Sequence, residues 1–232
     1  MSFKLLKILC LIPARKGSSL INKNIRSYKD EPLIFHTIKT ALKSNLINKI
    51  VISTDSNQYK NLCKKEFKTK IEIPFLRPKS LSGPHSKDYG WIKHSLVFLK
   101  KKQNYVPDII VHLRPTTPNR SIKIVDLAIK FFIKNYRTAS SLRSANQFSQ
   151  PPEKMFKIKN GFFKGYFPKR KEREYYNLPR QKFSKTYLPN GYIDILKPKV
   201  IFDLGLLHGN KILPFITDQT NDIDELDDFK KK

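Results

Sequence analysis

At 232 residues, with 39% hydrophobic and 12% aromatic residues, the chain is long enough for one well-packed domain and too aromatic for a disordered one. Its formal net charge of +27 asks for an anionic partner, yet only ten of the 46 basic residues are arginine and the lysines are scattered. That distribution disfavours a dedicated nucleic-acid surface, where arginine and stacking aromatics concentrate. No apolar stretch approaches membrane-spanning length, and Lys7 and Pro13 interrupt the N-terminal apolar run, so neither a membrane span nor a signal peptide is expected and the protein is read as cytoplasmic.

Taken in chain order, LKILCLI reads as a strand, PLIFHTIKTALKSN as a helix, KIVIST as a second strand and NQYKNLCKKEF as a helix. KIEIPF reads as a third strand, KDYGWIKHSLVFLKKK as a helix, DIIVHL as a fourth strand, IKIVDLAIKFFIKN as a helix and TASSLRS as a strand. This alternation over about 145 residues implies βαβ units, hence an α/β fold with a mostly parallel, buried sheet. Cys10 and Cys63 fall on apolar faces without metal-ligand spacing and read as buried, reduced thiols. From about 147 to 189 the rhythm breaks into a segment rich in Pro, Lys and aromatics, with Asn160-Gly161 as a hairpin signal. This excursion reads as a lid or a dimerisation arm. GYIDILK then returns as a strand, KVIFDLG as a short helix or turn, and KILPFI as an edge strand before the acidic tail NDIDELDDF.

Ligands of such sheets bind beyond the carboxyl ends of the strands. The first strand ends in Arg15, Lys16, Ser18, Lys23 and Asn24, the second in Ser53-Thr54-Asp55, the third in Arg77, and the fourth in Arg114 and Arg120. A cationic, hydroxylic edge of this kind points to a polyanionic small molecule such as a nucleoside triphosphate, while each loop alone also reads as a surface turn. Neither GxxxxGK[ST] nor GxGxxG is present, which sets aside P-loop kinases and ordinary dinucleotide dehydrogenases. Asp222 and Asp224 flank an apolar residue, so on an extended segment both carboxylates point the same way and suit a phosphate-bridging Mg²⁺; a helix cap is the other reading. His36, His94 and His112 read as satisfied packing residues. No nucleophile–base arrangement is visible, which phosphoryl transfer does not require.

The ordered set IPARKGSSLINKNI, PLIFHTIKTAL, VISTD, PFLRP, LRPTTPNR, PRQKFSKTYLPNGYIDI and NDIDELDDF resembles the acylneuraminate (CMP-sialic acid type) cytidylyltransferases from about residue 8 to residue 229. The resemblance implies a single Rossmann-like nucleotidyltransferase domain over residues 1–232. It is expected to be homodimeric, with the excursion reaching the partner. It implies transfer of CMP from CTP to the anomeric hydroxyl of a nine-carbon acidic sugar, with Mg²⁺ required and pyrophosphate released. By motif match Arg15 and Lys23 are the catalytic cations on the triphosphate. Ala14, Arg15, Lys16, Gly17, Ser18, Asn24 and Arg77 surround the nucleotide, and Asp222 and Asp224 hold the metal. Lys154, Arg180, Arg114 and Asp194 face the sugar.

Three departures accompany the match. Ser19 stands where the family usually has Lys, in a loop one residue shorter, with Lys16 as the substitute charge. Arg114 stands where sialic acid enzymes commonly have Gln, and Asp194 where they often have Tyr. The last two lie toward the sugar, so legionaminic or pseudaminic acid is as much expected as N-acetylneuraminate. Activation of another sugar acid such as Kdo is one alternative, and a basic nucleic-acid-binding protein with a degenerate loop is the other.

Overall fold

A computed structural model describes residues 6–17 and 20–230. Strand β1 (Ile8–Pro13) lies between β4 (Lys49–Ser53) and β5 (Ile109–His112), parallel to both. At the other edge β10 (Ile212–Ile216) runs parallel to β6 (Ser141–Phe148). Between these groups β9 (Thr186–Leu196) runs antiparallel to both β5 and β6, giving the order β10-β6-β9-β5-β1-β4. Two residue pairs, β2 (Ser27–Tyr28) and β3 (Glu31–Pro32), form a small ribbon at the start of α1 (Leu33–Leu42).

The apolar run of β1 is buried on both faces, as a central parallel strand must be. Ile8, Cys10 and Ile12 enter the core under α1, α2 (Asn57–Phe67) and α4 (Ile122–Lys134). Leu9 and Leu11 enter the opposite core, under α3 (Asp88–Gln103) and α5 (Pro198–Asp203). The result is a three-layer α/β/α domain. Cys10 and Cys63 are free and buried, and burial pushes both thiols up to about 12.

KIEIPF does not form the expected third strand. The chain from 70 to 76 meets β4 and the residue after it only at two isolated bridges, Val51 with Glu72 and Thr54 with Leu76. Pro74 between them has no N–H to give to a ladder, which stops pairing after one residue. Arg77 is still delivered to the sheet edge, because its own N–H donates to Thr54 O at 2.7 Å.

The excursion is narrower than its sequence boundaries: β6 continues through Phe148 and β9 begins at Thr186, leaving 149–185 outside the sheet. Within it β7 (Phe156–Lys159) and β8 (Phe162–Gly165) form the expected hairpin. Asn160 and Gly161 both adopt positive φ, at 53° and 79°, the requirement of a two-residue primed turn.

Candidate active site

Two strand ends, the edge segment that carries Arg77 and one helix start converge on a pocket of about 250 Å³, lined by Arg15, Lys23, Asn24, Arg77, Asp88 and Arg114 among others. After β1 the backbone stays on the sheet for one more residue, where Ala14 N donates to Ser53 O at 2.9 Å. Lys16 N donates to Asp55 Oδ1 at 2.8 Å, so the loop is tethered to the end of β4. Asn24 Nδ2 donates to Arg15 O at 3.0 Å, a contact that shapes the loop. Arg15 is half-buried and donates to Gly83 O from the segment before α3.

Arg77 is only 4% exposed. Its Nε and Nη2 donate to Ser53 Oγ at 2.9 Å and Ser53 O at 2.7 Å, and its plane lies 4.8 Å from the Trp91 ring centroid. Burial lowers its pKa to about 10, against the opposing pull of Asp55 and Asp88, so it stays a cation at neutral pH. Arg77 is thus a fixed positive charge in the wall of the pocket.

Arg114 separates this pocket from a larger one of about 550 Å³, and lines both. Its Nη1 donates to Asp194 Oδ2 at 2.7 Å and its Nη2 to Asp88 Oδ2 at 2.8 Å. Asp88 also accepts from Trp91 Nε1 at 2.9 Å. Burial pushes the Asp88 carboxyl up, yet His112, Arg114 and the indole N–H together hold it at about 2. His112 is itself pushed down to about 3, by burial and by Arg114, so near neutral pH Arg114 and the indole are what keep Asp88 ionised. For Asp194, burial pushes the carboxyl up, yet Arg114, His112 and Arg143 together hold it below its ordinary value. The larger pocket continues between β6 and β9 and is bordered by Arg143, Asn146, Gln147, Asn190 and Thr220.

The acidic tail closes the site from the other side. Ile223 is 1% exposed, packs on Tyr28 and Leu33, and donates its N–H to Thr116 O at 2.7 Å. This pins the two flanking carboxylates: Asp222 lines the larger pocket, and Asp224 Oδ1 accepts from Lys23 Nζ at 2.6 Å. Capping of the following turn falls to Asp228, whose Oδ2 accepts from the N–H groups of Asp224 and Glu225 at 3.0 and 2.9 Å. The cap reading therefore belongs to Asp228, and neither Asp222 nor Asp224 is used that way. Among the described residues no cluster of three or more His, Cys, Asp or Glu is placed to hold a metal. Asp222 on the larger pocket and Asp224 paired with Lys23 of the smaller one are a donor set that suits Mg²⁺, which keeps several of its waters and needs only one or two protein carboxylates.

The residues expected from sequence are thus only partly brought together. Arg15, Lys23, Asn24, Arg77 and Arg114 line the smaller pocket; Ala14 is buried behind it, and the Lys16 side chain and Gly17 are exposed beside it. Ser18 lies outside the described residues. Arg180 borders a third pocket of about 410 Å³, which shares Gln147, Phe148 and Ser149 with the larger one. Lys154 lies over the Phe183 ring at 5.9 Å. Asp194, 1% exposed, lies behind Arg114 rather than on a pocket surface. Arg120, expected on the cationic edge, is buried and donates to Thr37 Oγ1 and to the carbonyls of Arg114, Thr117, Gly191 and Tyr192, so it braces the loop instead. His112 is buried as expected but not satisfied, since neither ring nitrogen has a hydrogen-bond partner. Asp88, Trp91 and Arg143 were not legible as site residues, because only packing of α3 and pairing of β6 bring them here.

A cytidylyltransferase family model matches residues 9–89 of the chain, which includes the loop after β1, Arg77 and Asp88. The N-acylneuraminate cytidylyltransferase of Escherichia coli O18:K1:H7 is 27% identical over 97% of this chain and 51% of its own length. The chain is similar to cytidylyltransferases, by the family model over residues 9–89 and by these relatives over most of its length. The pseudaminic acid cytidylyltransferase of Campylobacter jejuni serotype O:23/36 is 29% identical over 78% of this chain and 75% of its own length. The chain thus spans about half the length of the E. coli relative and three-quarters of the Campylobacter one. Among solved structures, a CMP:2-keto-3-deoxy-manno-octonic acid synthetase complexed with CTP superposes with a TM-score of 0.65 at 17% identity, covering 94% of this chain and 93% of its own. That likeness shows the nucleotidyltransferase fold. No helix of the described residues is long and apolar enough to cross a membrane.

Proposed function

We propose that this chain is a cytidylyltransferase that moves CMP from CTP to the anomeric hydroxyl of a nonulosonic acid of the sialic, legionaminic or pseudaminic type and releases pyrophosphate. The observation that supports this most is the meeting of two pockets at Arg114: a small cationic one at the strand ends, and a larger one bordered by amides and hydroxyls. The first suits a triphosphate and the second a polyhydroxylated acid, and a shared wall puts the α-phosphorus beside the attacking hydroxyl.

In this reading Arg15 and Lys23 take the triphosphate oxygens, and Arg77 contributes fixed positive potential from behind. Asn24 shapes the loop through the Arg15 carbonyl. Asp222 and Asp224 are the carboxylates that would hold Mg²⁺, which when bound neutralises charge building on the phosphates. Lys23, which lines the smaller pocket, then has to exchange Asp224 for phosphate. Dependence on CTP is consistent with a cytoplasmic site of action. The excursion, whose Ile158, Phe162 and Phe163 are 74%, 70% and 70% exposed, is read as the contact of a homodimer.

Pyrophosphate release from CTP and Mg²⁺ with N-acetylneuraminate, legionaminate, pseudaminate and Kdo tests the reading. Release with one of the first three supports it. Release with Kdo alone moves the substrate to eight-carbon acids, and silence with all four, without stabilisation by CTP, overturns it.

A further inference from the structure

Resting on that reading, we propose that Arg143, held by Asp194, is the residue of the larger pocket that binds the carboxylate of the acidic acceptor sugar. Three adjacent strands place His112, Asp194 and Arg143 directly opposite one another, in the pairs His112 with Asp194 and Asp194 with Arg143. The neighbouring residues on this face of the sheet, Ile110 and Leu196, are core apolar residues under α3. A carboxylate that is 1% exposed in such a place survives only if cations hold it.

Asp194 divides its oxygens between two arginines. Oδ2 accepts from Arg114 Nη1 at 2.7 Å, and Oδ1 faces Arg143 Nε at 3.4 Å. Arg114 commits its second terminal nitrogen to Asp88 as well, so both ends of its fork are engaged. Arg143 commits only Nε; among the described residues its two terminal nitrogens have no hydrogen-bond partner. Its side chain is 37% exposed and lines the larger pocket. The register of β6 against β9 shifts between Arg143 and Ala145, and irregularities of this kind re-aim side chains at sites. An arginine anchored at Nε and open at its fork presents paired donors to a planar anion, the geometry that carboxylate recognition uses.

Two other cations assigned to the sugar lie on the excursion read as the homodimer contact, whereas Arg143 lies on the sheet itself. Lys154 stacks on Phe183, and Arg180 borders the adjoining pocket. Arg114 and Arg143 are the two cations that line the larger pocket among the described residues, and Arg143 is the one with donors to spare. Asp194 is then a positioning residue: it orients both arginines without touching the sugar.

The test is steady-state pyrophosphate release at saturating CTP and Mg²⁺, comparing wild type with Arg143→Gln and Arg143→Lys on the sugar acid that wild type uses and on its methyl ester. For Arg143→Gln the acceptor KM should rise about ten- to a hundredfold, the scale of a lost charge-assisted hydrogen bond, with KM for CTP unchanged. Wild type should reject the ester, Arg143→Gln should not distinguish acid from ester, and Arg143→Lys should recover part of the preference. An unchanged acceptor KM in Arg143→Gln, or wild-type discrimination against the ester in that variant, overturns the inference while leaving the proposed reaction intact. Silence of wild type with every sugar acid overturns both.

Discussion

Lys23 Nζ and Asp224 Oδ1 lie 2.6 Å apart although 201 residues separate them in the chain. The lysine is buried at 8% side-chain exposure and the aspartate is open at 60%, so one pair links the loop after β1, whose Lys23 lines the smaller pocket, to the acidic tail. Because Asp224 is mostly solvated, the pair adds little to stability, on the order of 0–1 kcal/mol. Asp224→Asn is expected to shift the melting temperature by less than about 4 °C. It is expected to lower turnover about a hundredfold or more. Calorimetry beside a pyrophosphate assay checks both; near-normal turnover would remove Asp224 from the metal and phosphate machinery.

Arg15 is tethered through its backbone by Asn24 and through its side chain by Gly83. Replacing it by alanine deletes one donor aimed at the pocket without opening the core. Arg15→Ala should lower kcat about a hundredfold, while circular dichroism and thermal unfolding stay close to wild type. An unchanged rate would make the loop a turn and nothing more.

Arg114 holds two carboxylates at once. Arg114→Gln takes from the buried Asp194 its close cation, leaving only Arg143 at 3.4 Å, and takes the same partner from the more exposed Asp88; loss of one partner from a buried ionic set costs about 3–5 kcal/mol. Adding Asp194→Asn to that variant should restore a large part of the loss, since the buried charge is then gone too. Urea unfolding of the two single variants and the double variant gives the coupling; strict additivity would show that the two side chains do not act as a unit.

Acid should weaken the fold in two windows. His112, pushed down to about 3 mainly by burial, binds its proton more readily in the unfolded chain, so stability falls as pH drops from about 6.5 toward 3. Asp88, held at about 2, stabilises above the ordinary carboxylate range, and that contribution is lost as pH falls from about 4 toward 2. His112→Leu should flatten the stability profile between pH 6 and 4 by about one proton, or about 1.4 kcal/mol per pH unit. Denaturant titrations at several pH values measure the slope, and an unchanged slope would mean that His112 titrates normally.

The exposed apolar side chains of the hairpin predict association. Wild type should sediment as a dimer at micromolar concentration, and Phe162→Glu with Phe163→Glu should sediment as a monomer. A monomeric wild type would leave the excursion as a lid.

Elements written in short-range code were legible in the sequence. The buried run of β1, the helical spacing of α1, α2, α3 and α4, and the Asn160-Gly161 turn depend on residues a few positions apart, and all are present. The cations at the ends of β1 and β5 were legible for the same reason, because a strand that ends in a cationic loop delivers that loop to the sheet edge.

Tertiary structure decided what depends on register and on which strand lies beside which. KIEIPF alternates like a strand, but Pro74 and its edge position reduce the chain from 70 to 76 to two bridges. Arg120 reads like Arg114 in the sequence, yet one is enclosed by carbonyls and the other is clamped between carboxylates. The row of His112, Asp194 and Arg143 exists only because β9 inserts antiparallel between β5 and β6, bringing together residues that no local periodicity relates. Side-chain pattern sets the face a residue takes on its own strand; only the closing of the sheet sets what stands opposite it.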